Sequence, residues 1–312
     1  MKKILVTAVG GDVGYAVIKA LKDSVHNLFI IGCDVRKYTM SSDILDDFFV
    51  CPRYDDANYW TRYMLDFVCQ EGIDYFWPIT ESEIKIVNDN KELFESTRVI
   101  INQPNIIKIA LDKGETARFL DVNGILTPKT WESIPADTTL YPLIVKERFS
   151  CGSQAVVLVN NKDELADSFC KMSDPIVQEY VGDISDEYTL SIFSDGYVTN
   201  KIAFKRELGF DGMSKFVELV NDTKLLEIAD KISNIFNLHG SINVQLRKNN
   251  GNYYVFEINP RISSTMGFRR LLGFNDVSWW LDLVEQKSIE QYVIPNKKIF
   301  GVRTVEEKIF SV

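Results

Sequence analysis

The stretch Ser241-Ile-Asn-Val-Gln-Leu-Arg-Lys-Asn-Asn-Gly-Asn-Tyr-Tyr-Val-Phe-Glu-Ile-Asn-Pro-Arg261 decides how the second half of this chain is read. Two runs of alternating apolar residues flank Asn249-Asn250-Gly251-Asn252, and Asn and Gly tolerate the positive φ that a tight hairpin needs. Side chains alternate faces along a strand, so Glu257 and Asn259 point the same way. A turn pairing Tyr253 with Asn249 sets Gln245 opposite Glu257, whereas a slip of one residue would move it to the other face. In the first register three oxygen donors, Gln245, Glu257 and Asn259, share one surface, with Arg261 just beyond. A hard cation such as Mg2+ takes oxygen ligands and leaves its remaining positions to water and phosphate. The same alternation would also suit the solvated face of an antiparallel sheet.

The chain around this hairpin has 312 residues, 46% hydrophobic and 25% charged, enough for two or three modest domains with a real core. A net charge of −9 argues against a nucleic-acid partner. A local cluster of Lys and Arg can still hold phosphate within an acidic protein. The five cysteines (Cys33, Cys51, Cys69, Cys151 and Cys170) are odd in number and lack CxxC spacing, which predicts reduced thiols rather than a disulfide frame or zinc site. With no signal-peptide pattern and no apolar run of membrane-spanning length, the expectation is a soluble cytoplasmic protein without a membrane partner.

At the start, Lys3 to Ala8 reads as a strand, Val9-Gly10-Gly11-Asp12-Val13-Gly14 as a turn, and the residues to Leu21 as a helix. A strand from Leu28 to Cys33 then ends at Asp34, the opening of a parallel doubly wound sheet. Gly10, Gly11 and Gly14 permit a tight turn and close helix packing, with Gly11 a candidate substrate contact. The alternative is a dinucleotide with Asp34 on its ribose, although Val9 stands where the first fingerprint glycine belongs. A helix over Tyr59 to Glu71 precedes a strand from Asp74 to Pro78 and the polar run Ile79-Thr80-Glu81-Ser82-Glu83. Open sheets bind ligands at the carboxyl ends of their strands, which makes Thr80 and Glu81 candidates for a polar substrate. Thr80 with Glu83 three residues on also fits a capping box. Val99 to Asn102 is predicted as the fourth strand.

Asn105 to Asn123 reads as one helix carrying Asp112-Lys113. The strand Pro142-Leu-Ile-Val-Lys146 leads into the small-residue segment up to Ser153-Gln154, and Ala155 to Val159 is the next strand. Such a loop exposes N–H groups that can cover phosphate. A lysine inside an apolar strand needs an anion or water for its ammonium, or snorkels to solvent. Pro175-Ile-Val-Gln178-Glu179-Tyr180-Val181 stops in a polar turn able to read a flat heterocycle, and Glu187 begins another strand. A hairpin over Thr189 to Phe204 ends at Lys205-Arg206, cations for a transferred phosphate or a carboxylate, or else a solvated strand end. Asp222 to Phe236 is an amphipathic helix, and His239 is expected at a helix C-terminus. Arg269 and Arg270 are candidates for an acidic substrate or for plain surface, and Trp279 and Trp280 for the core.

Taken in order, Asp112-Lys113, Lys146, the small-residue loop, Gln178-Glu179-Tyr180-Val181, Glu187, Gln245 and Phe256-Glu-Ile-Asn-Pro-Arg261 resemble the ATP-grasp superfamily. The branch it is most similar to holds the ATP-binding domains of carbamoyl phosphate synthase large subunits and related carboxylate–amine ligases. The resemblance implies an α/β chain: residues 1–104 as a Rossmann-like pre-ATP-grasp domain, then a two-lobed α+β ATP-grasp fold over 105–312, with a lid at about 116–181 and a catalytic sheet at 182–312. It further implies Lys113, Lys146 and Ser153 on phosphates, Glu179, Tyr180 and Val181 on adenine, and Glu187 on ribose. Gln245, Glu257 and Asn259 would carry Mg2+, with Mn2+ as a substitute, while Arg261, Lys205 and Arg206 would serve catalysis. Gly11, Thr80, Glu81 and Arg269 are left for substrate. The implied activity is ATP-dependent activation of a small carboxylate as an acyl phosphate for attack by an amine, with a homodimer left open. The rival readings are a non-catalytic ATP-binding protein of the same fold and an NAD-dependent enzyme. Two features depart from the family: the duplicated half of a carbamoyl phosphate synthase is missing, which argues against that product, and the loop before Gln154 holds only Gly152.

Overall fold

The structure is a computed structural model that describes residues 1–136, 140–149, 156–209 and 212–304. Five strands, β1 (Lys2–Val6), β2 (Leu28–Asp34), β3 (Asp47–Val50), β4 (Tyr75–Trp77) and β5 (Arg98–Val99), form a parallel sheet in the order β3-β2-β1-β4-β5. Three helices belong to this unit: α1 (Asp12–Lys22), α2 (Ala57–Glu71) and α3 (Glu81–Asp89). At Gly14 a Cβ would fall 2.3 Å from the Ala8 carbonyl oxygen, so the turn after β1 requires a glycine there. Asp34, a ribose ligand in the dinucleotide alternative, is turned inward and accepts the Gly10 N–H at 2.9 Å and the Arg36 N–H at 3.0 Å. It therefore closes the glycine turn from within. Strand β3 was not anticipated; its half-exposed edge position leaves no alternation to read.

The stretch expected as one helix is two, α4 (Pro104–Leu111) and α5 (Lys113–Val122). Asp112 leaves helical geometry at φ −106°, ψ 107° and caps α5, its carboxylate accepting the N–H groups of Gly114 and Glu115. Asp112 followed three residues later by Glu115 is a helix-start pattern that would have located the break.

Four strands, β6 (Thr130–Trp131), β7 (Leu143–Glu147), β8 (Val156–Val159) and β9 (Pro175–Glu179), make an antiparallel sheet in the order β6-β9-β7-β8, backed by α6 (Lys162–Cys170). The third sheet is antiparallel and contains β10 (Glu187–Asp195), β11 (Thr199–Leu208), β12 (Ser214–Val220), β13 (His239–Asn249), β14 (Asn252–Asn259) and β15 (Phe300–Val302), ordered β14-β13-β10-β11-β12-β15. One face of it packs on α7 (Thr223–Phe236), with Leu190, Ile192 and Val244 against Leu225, Ala229 and Ile232. The other face, at Phe193, Ile202 and Phe204, shares a core with Val17 and Leu21 of α1. Met266 of α8 (Met266–Arg269) and Leu281 of α9 (Asp276–Val284) complete that core. Trp280 packs edge-on against Trp77 at 5.6 Å, in the core role expected of it.

His239 opens β13 rather than ending a helix: α7 stops at Phe236, where Asn237 adopts a left-handed cap, and the His239 ring lies 2.8 Å from the Asn237 carbonyl oxygen. Cys33, Cys51, Cys69 and Cys170 are free thiols, and Cys151 lies outside the described residues. None of the described helices is long and apolar enough to cross a membrane.

Candidate functional site

Strands β13 and β14 place Gln245 opposite Glu257, but by a different route from the simple register. The turn pairs Asn249 with Asn252, and Leu246 with Val255, one residue off the expected pairing. A β-bulge between Gln245 and Leu246 then leaves Phe256 as an extra residue, and Gln245 meets Glu257. The bulge has a direct consequence for the side chains. Tyr253, Val255 and Ile258 go into the core, whereas Tyr254, Phe256 and Glu257 all line the same cavity. Strict alternation cannot send adjacent residues to one face; the extra residue re-aims Glu257.

That cavity, about 430 Å3, lies between the four-stranded sheet and the face of β10, β11 and β13 that bears Glu187, Arg206 and Gln245. Its apolar walls include Ile144, Val156, Ile184, Leu208 and Phe256. Glu179, Tyr180 and Val181, the turn expected to read a heterocycle, border it at the end of β9. Lys113 and Lys146 enter it from α5 and β7 and are only 7% and 5% exposed. Lys146 Nζ donates to the neutral amide oxygen of Gln178 at 2.8 Å. Burial pushes its pKa down to about 8; Glu257 acts against the shift, while Lys113 and Arg247 add to it. A buried ammonium whose hydrogen-bond partner is a neutral amide, attracted by Glu257 but repelled by Lys113 and Arg247, gains from a further anion in the cavity.

Glu187, 3% exposed, is held by two guanidinium groups. Arg206 donates to its Oε1 from Nη2 at 2.7 Å, and Arg247 donates to its Oε2 from Nε and Nη2, each at 3.0 Å. Arg206 also donates to Gln245 Oε1 at 2.8 Å. The sheet register explains the cluster: Glu187 pairs with Arg247, and Thr189 with Gln245. Arg247 was missed in the sequence. It stands two residues after Gln245, hence on the same face, and its guanidinium lies 5.2 Å from the Tyr180 ring centroid and 5.6 Å from that of Phe256. The period of two would have flagged it.

Asn259 Nδ2 donates to Glu257 Oε1 at 3.2 Å, and Arg261 Nη2 donates to Asn259 Oδ1 at 3.1 Å. Arg261 also forms an ion pair with Glu81, at 2.8 Å, so a residue of the N-terminal unit joins the ribbon. Thr80 and Glu83 form the complete capping box on α3 that their spacing implied. Gly11 is the N-cap residue of α1. Two other candidates fall elsewhere. Lys205 points to the opposite face of β11 from Arg206 and pairs with Asp186 at 2.6 Å. Arg269 is fully buried rather than at a substrate surface, saturated by Asp276, Ser263 and Thr265. Ser153 and its neighbours lie outside the described residues.

The donor set fits a polyphosphate with a hard cation. Glu257, Gln245 and Asn259 offer one carboxylate and two amide oxygens, and each amide oxygen keeps a lone pair beyond its arginine contact. Among the described residues no group of three His, Cys, Asp or Glu side chains stands ready for a metal. A cation here would complete its shell with phosphate oxygens and water.

Comparison with known proteins agrees with this geometry. The family described as "ATP-grasp domain" matches residues 110–265, and "PylC-like, N-terminal domain" matches residues 4–101. A D-alanine--D-alanine ligase of Fusobacterium nucleatum is 25% identical over 164 residues, covering 48% of this chain and 56% of that protein. The carbamoyl phosphate synthase large chain of Sulfolobus acidocaldarius is 23% identical over 340 aligned positions, 98% of this chain but 32% of its own length. This chain thus spans about half, and about a third, of those two relatives. The ADP complex of N5-carboxyaminoimidazole synthetase from Staphylococcus aureus shares the fold, with a TM-score of 0.74 at 17% identity over 93% of this chain and 79% of that one. With half its length matched by the family and the cavity lined from within that half or close to it, this chain belongs to the ATP-grasp family.

Proposed function

We propose that this protein is an ATP- and Mg2+-dependent ligase that activates a small carboxylate as an acyl phosphate for attack by an amine. The observation that carries it is Lys146: a buried ammonium sharing one cavity with Lys113, Arg247 and Glu257 suits a polyphosphate with its cation, and the apolar walls of that cavity suit a flat ring. Lys113 and Lys146 would hold phosphates, and Glu179 and the Val181 backbone would read the adenine. Glu187 would share its carboxylate between the ribose hydroxyls and its two arginines. Gln245, Glu257 and Asn259 would hold Mg2+, which when bound neutralises phosphate charge. Arg261 would orient the substrate carboxylate toward the terminal phosphate. A carboxylate oxygen attacks the γ-phosphorus and ADP leaves; the amine then attacks the acyl carbon, phosphate departs, and the amine proton passes to solvent. Such chemistry needs alignment and charge neutralisation rather than a protein nucleophile.

The test is ADP release over a panel of carboxylates and amines. Lys146→Ala and Glu257→Ala are each expected to abolish turnover while circular dichroism stays native. Full activity in both variants would refute the assignment.

A further inference from the structure

We propose that the activated carboxylate belongs to an α-amino acid bound as its zwitterion, with Glu81 taking the ammonium and Arg261 the carboxylate. The inference rests on the ligase reading above and names its substrate class. Arg261 donates to one oxygen of Glu81 from Nε at 3.1 Å and from Nη2 at 2.8 Å. Among the described residues the other Glu81 oxygen accepts no hydrogen bond, and the side chains of Glu81 and Arg261 keep 13% and 20% of their surface exposed. The pair ends a polar chain that runs from the cavity through Glu257 and Asn259 to Arg261.

The ion pair with Arg261 uses only one of the two Glu81 oxygens, and the cap of α3 does not need Glu81. Thr80 and Glu83 already complete that cap, although Glu81 occupies the first turn of the helix. The charge pattern suggests what else it does. A plain carboxylate arriving at Arg261 would set a second anion on a guanidinium that Glu81 already neutralises, an arrangement that repels. A zwitterion brings its own cation for Glu81, so charges of opposite sign alternate and the net charge of the site is unchanged. The charges of Glu81 and Arg261 are in direct contact at 2.8 Å, which matches ammonium and carboxylate on one carbon rather than at two ends of a chain. Held as an ammonium, the α-nitrogen carries no lone pair. The attacking amine must then come from a second molecule.

The experiment measures binding by calorimetry to the full chain loaded with Mg2+ and a non-hydrolysable ATP analogue. The panel pairs L- and D-α-amino acids with their des-amino counterparts, for example alanine with propionate and glutamate with glutarate. At least one amino acid is expected to bind, and its des-amino partner to bind at least about tenfold more weakly. Glu81→Gln is expected to weaken the amino acid by about 10- to 100-fold, to leave the affinity for the ATP analogue unchanged, and to narrow the gap between the members of the pair. ATP-analogue binding with no amino acid bound, equal binding of both members of a pair, or a gap unmoved by Glu81→Gln would each overturn the inference and leave the ligase reading standing. Failure to bind the ATP analogue would sink the ligase reading itself, and the inference with it.

Discussion

Lys146 has its pKa lowered to about 8 in the folded protein against an ordinary 10.5 because burial disfavours its charge. Between those values the unfolded chain holds a proton that the folded chain does not, so this lysine's contribution to stability rises with pH across the window and is unfavourable below it. A polyanion in the cavity favours the charged form. Binding of ATP therefore takes up a proton in the same window, and affinity falls by up to about tenfold per pH unit above about 8. Calorimetry at about pH 8.5 in two buffers of different ionisation enthalpy checks this: proton uptake in the unaltered protein and none in Lys146→Arg. Arg269 makes the contrasting case of a buried cation that is fully matched, with Asp276 at 2.9 Å and both side chains 0% exposed. Arg269→Met leaves Asp276 buried without its partner and is expected to cost about 3–5 kcal/mol in urea denaturation. An unchanged midpoint would contradict the buried pairing.

Two local elements set the angles at which the cavity residues enter. The bulge at Phe256 is the first, because it alone brings Phe256 and Glu257 to one face. Deleting Phe256 restores strict alternation and leaves Tyr254 and Glu257 facing the cavity, with Val255 and Ile258 in the core. What the deletion removes is one ring of the cavity wall, so ATP-analogue binding should weaken alike in the deletion and in Phe256→Ala, whereas Phe256→Leu should retain most of it. Binding lost in the deletion but unchanged in Phe256→Ala would show that the aim of Glu257 depends on the bulge itself. The second element is the break at Asp112. Its carboxyl is lowered below the usual range: burial opposes the shift, but Arg148 at 2.8 Å and the N–H groups of Glu115 and Gly114 outweigh it. Asp112→Ala removes the cap at the helix that carries Lys113 and should cost about 1–2 kcal/mol in chemical denaturation. A cost below about 0.3 kcal/mol would show that the cap is not needed.

The N-terminal sheet and the ATP-grasp sheet share one buried core in addition to the cluster each has of its own. Ile4, Val6 and Val17 belong to the same buried cluster as Phe193, Phe204 and Met266. Asn102 ties the two units further, its side-chain amide donating to the carbonyls of Ser241 and Pro260 at 2.8 and 2.9 Å. The fragment 1–104 expressed alone would expose that shared surface and is expected not to fold, while the full chain unfolds in a single transition. A native-like, cooperatively melting fragment would contradict a shared core. The same contact brings Glu81 to Arg261, across 180 residues of sequence.

Period and punctuation in the sequence were enough for the parallel opening, the hairpin at Asn250-Gly251 and the box at Thr80 and Glu83. These are local: they depend on alternation of side chains and on caps within a few residues. The sequence did not disclose that the hairpin is offset and then corrected by a bulge, since a one-residue slip leaves composition unchanged. Nor did it disclose that Lys205 and Arg206 face opposite sides with different partners, or that Arg269 is sealed in the interior. The partner of a charged side chain is chosen by whichever distant element packs over it, and burial, which sets the pKa of Lys146, exists only once the sheets have met.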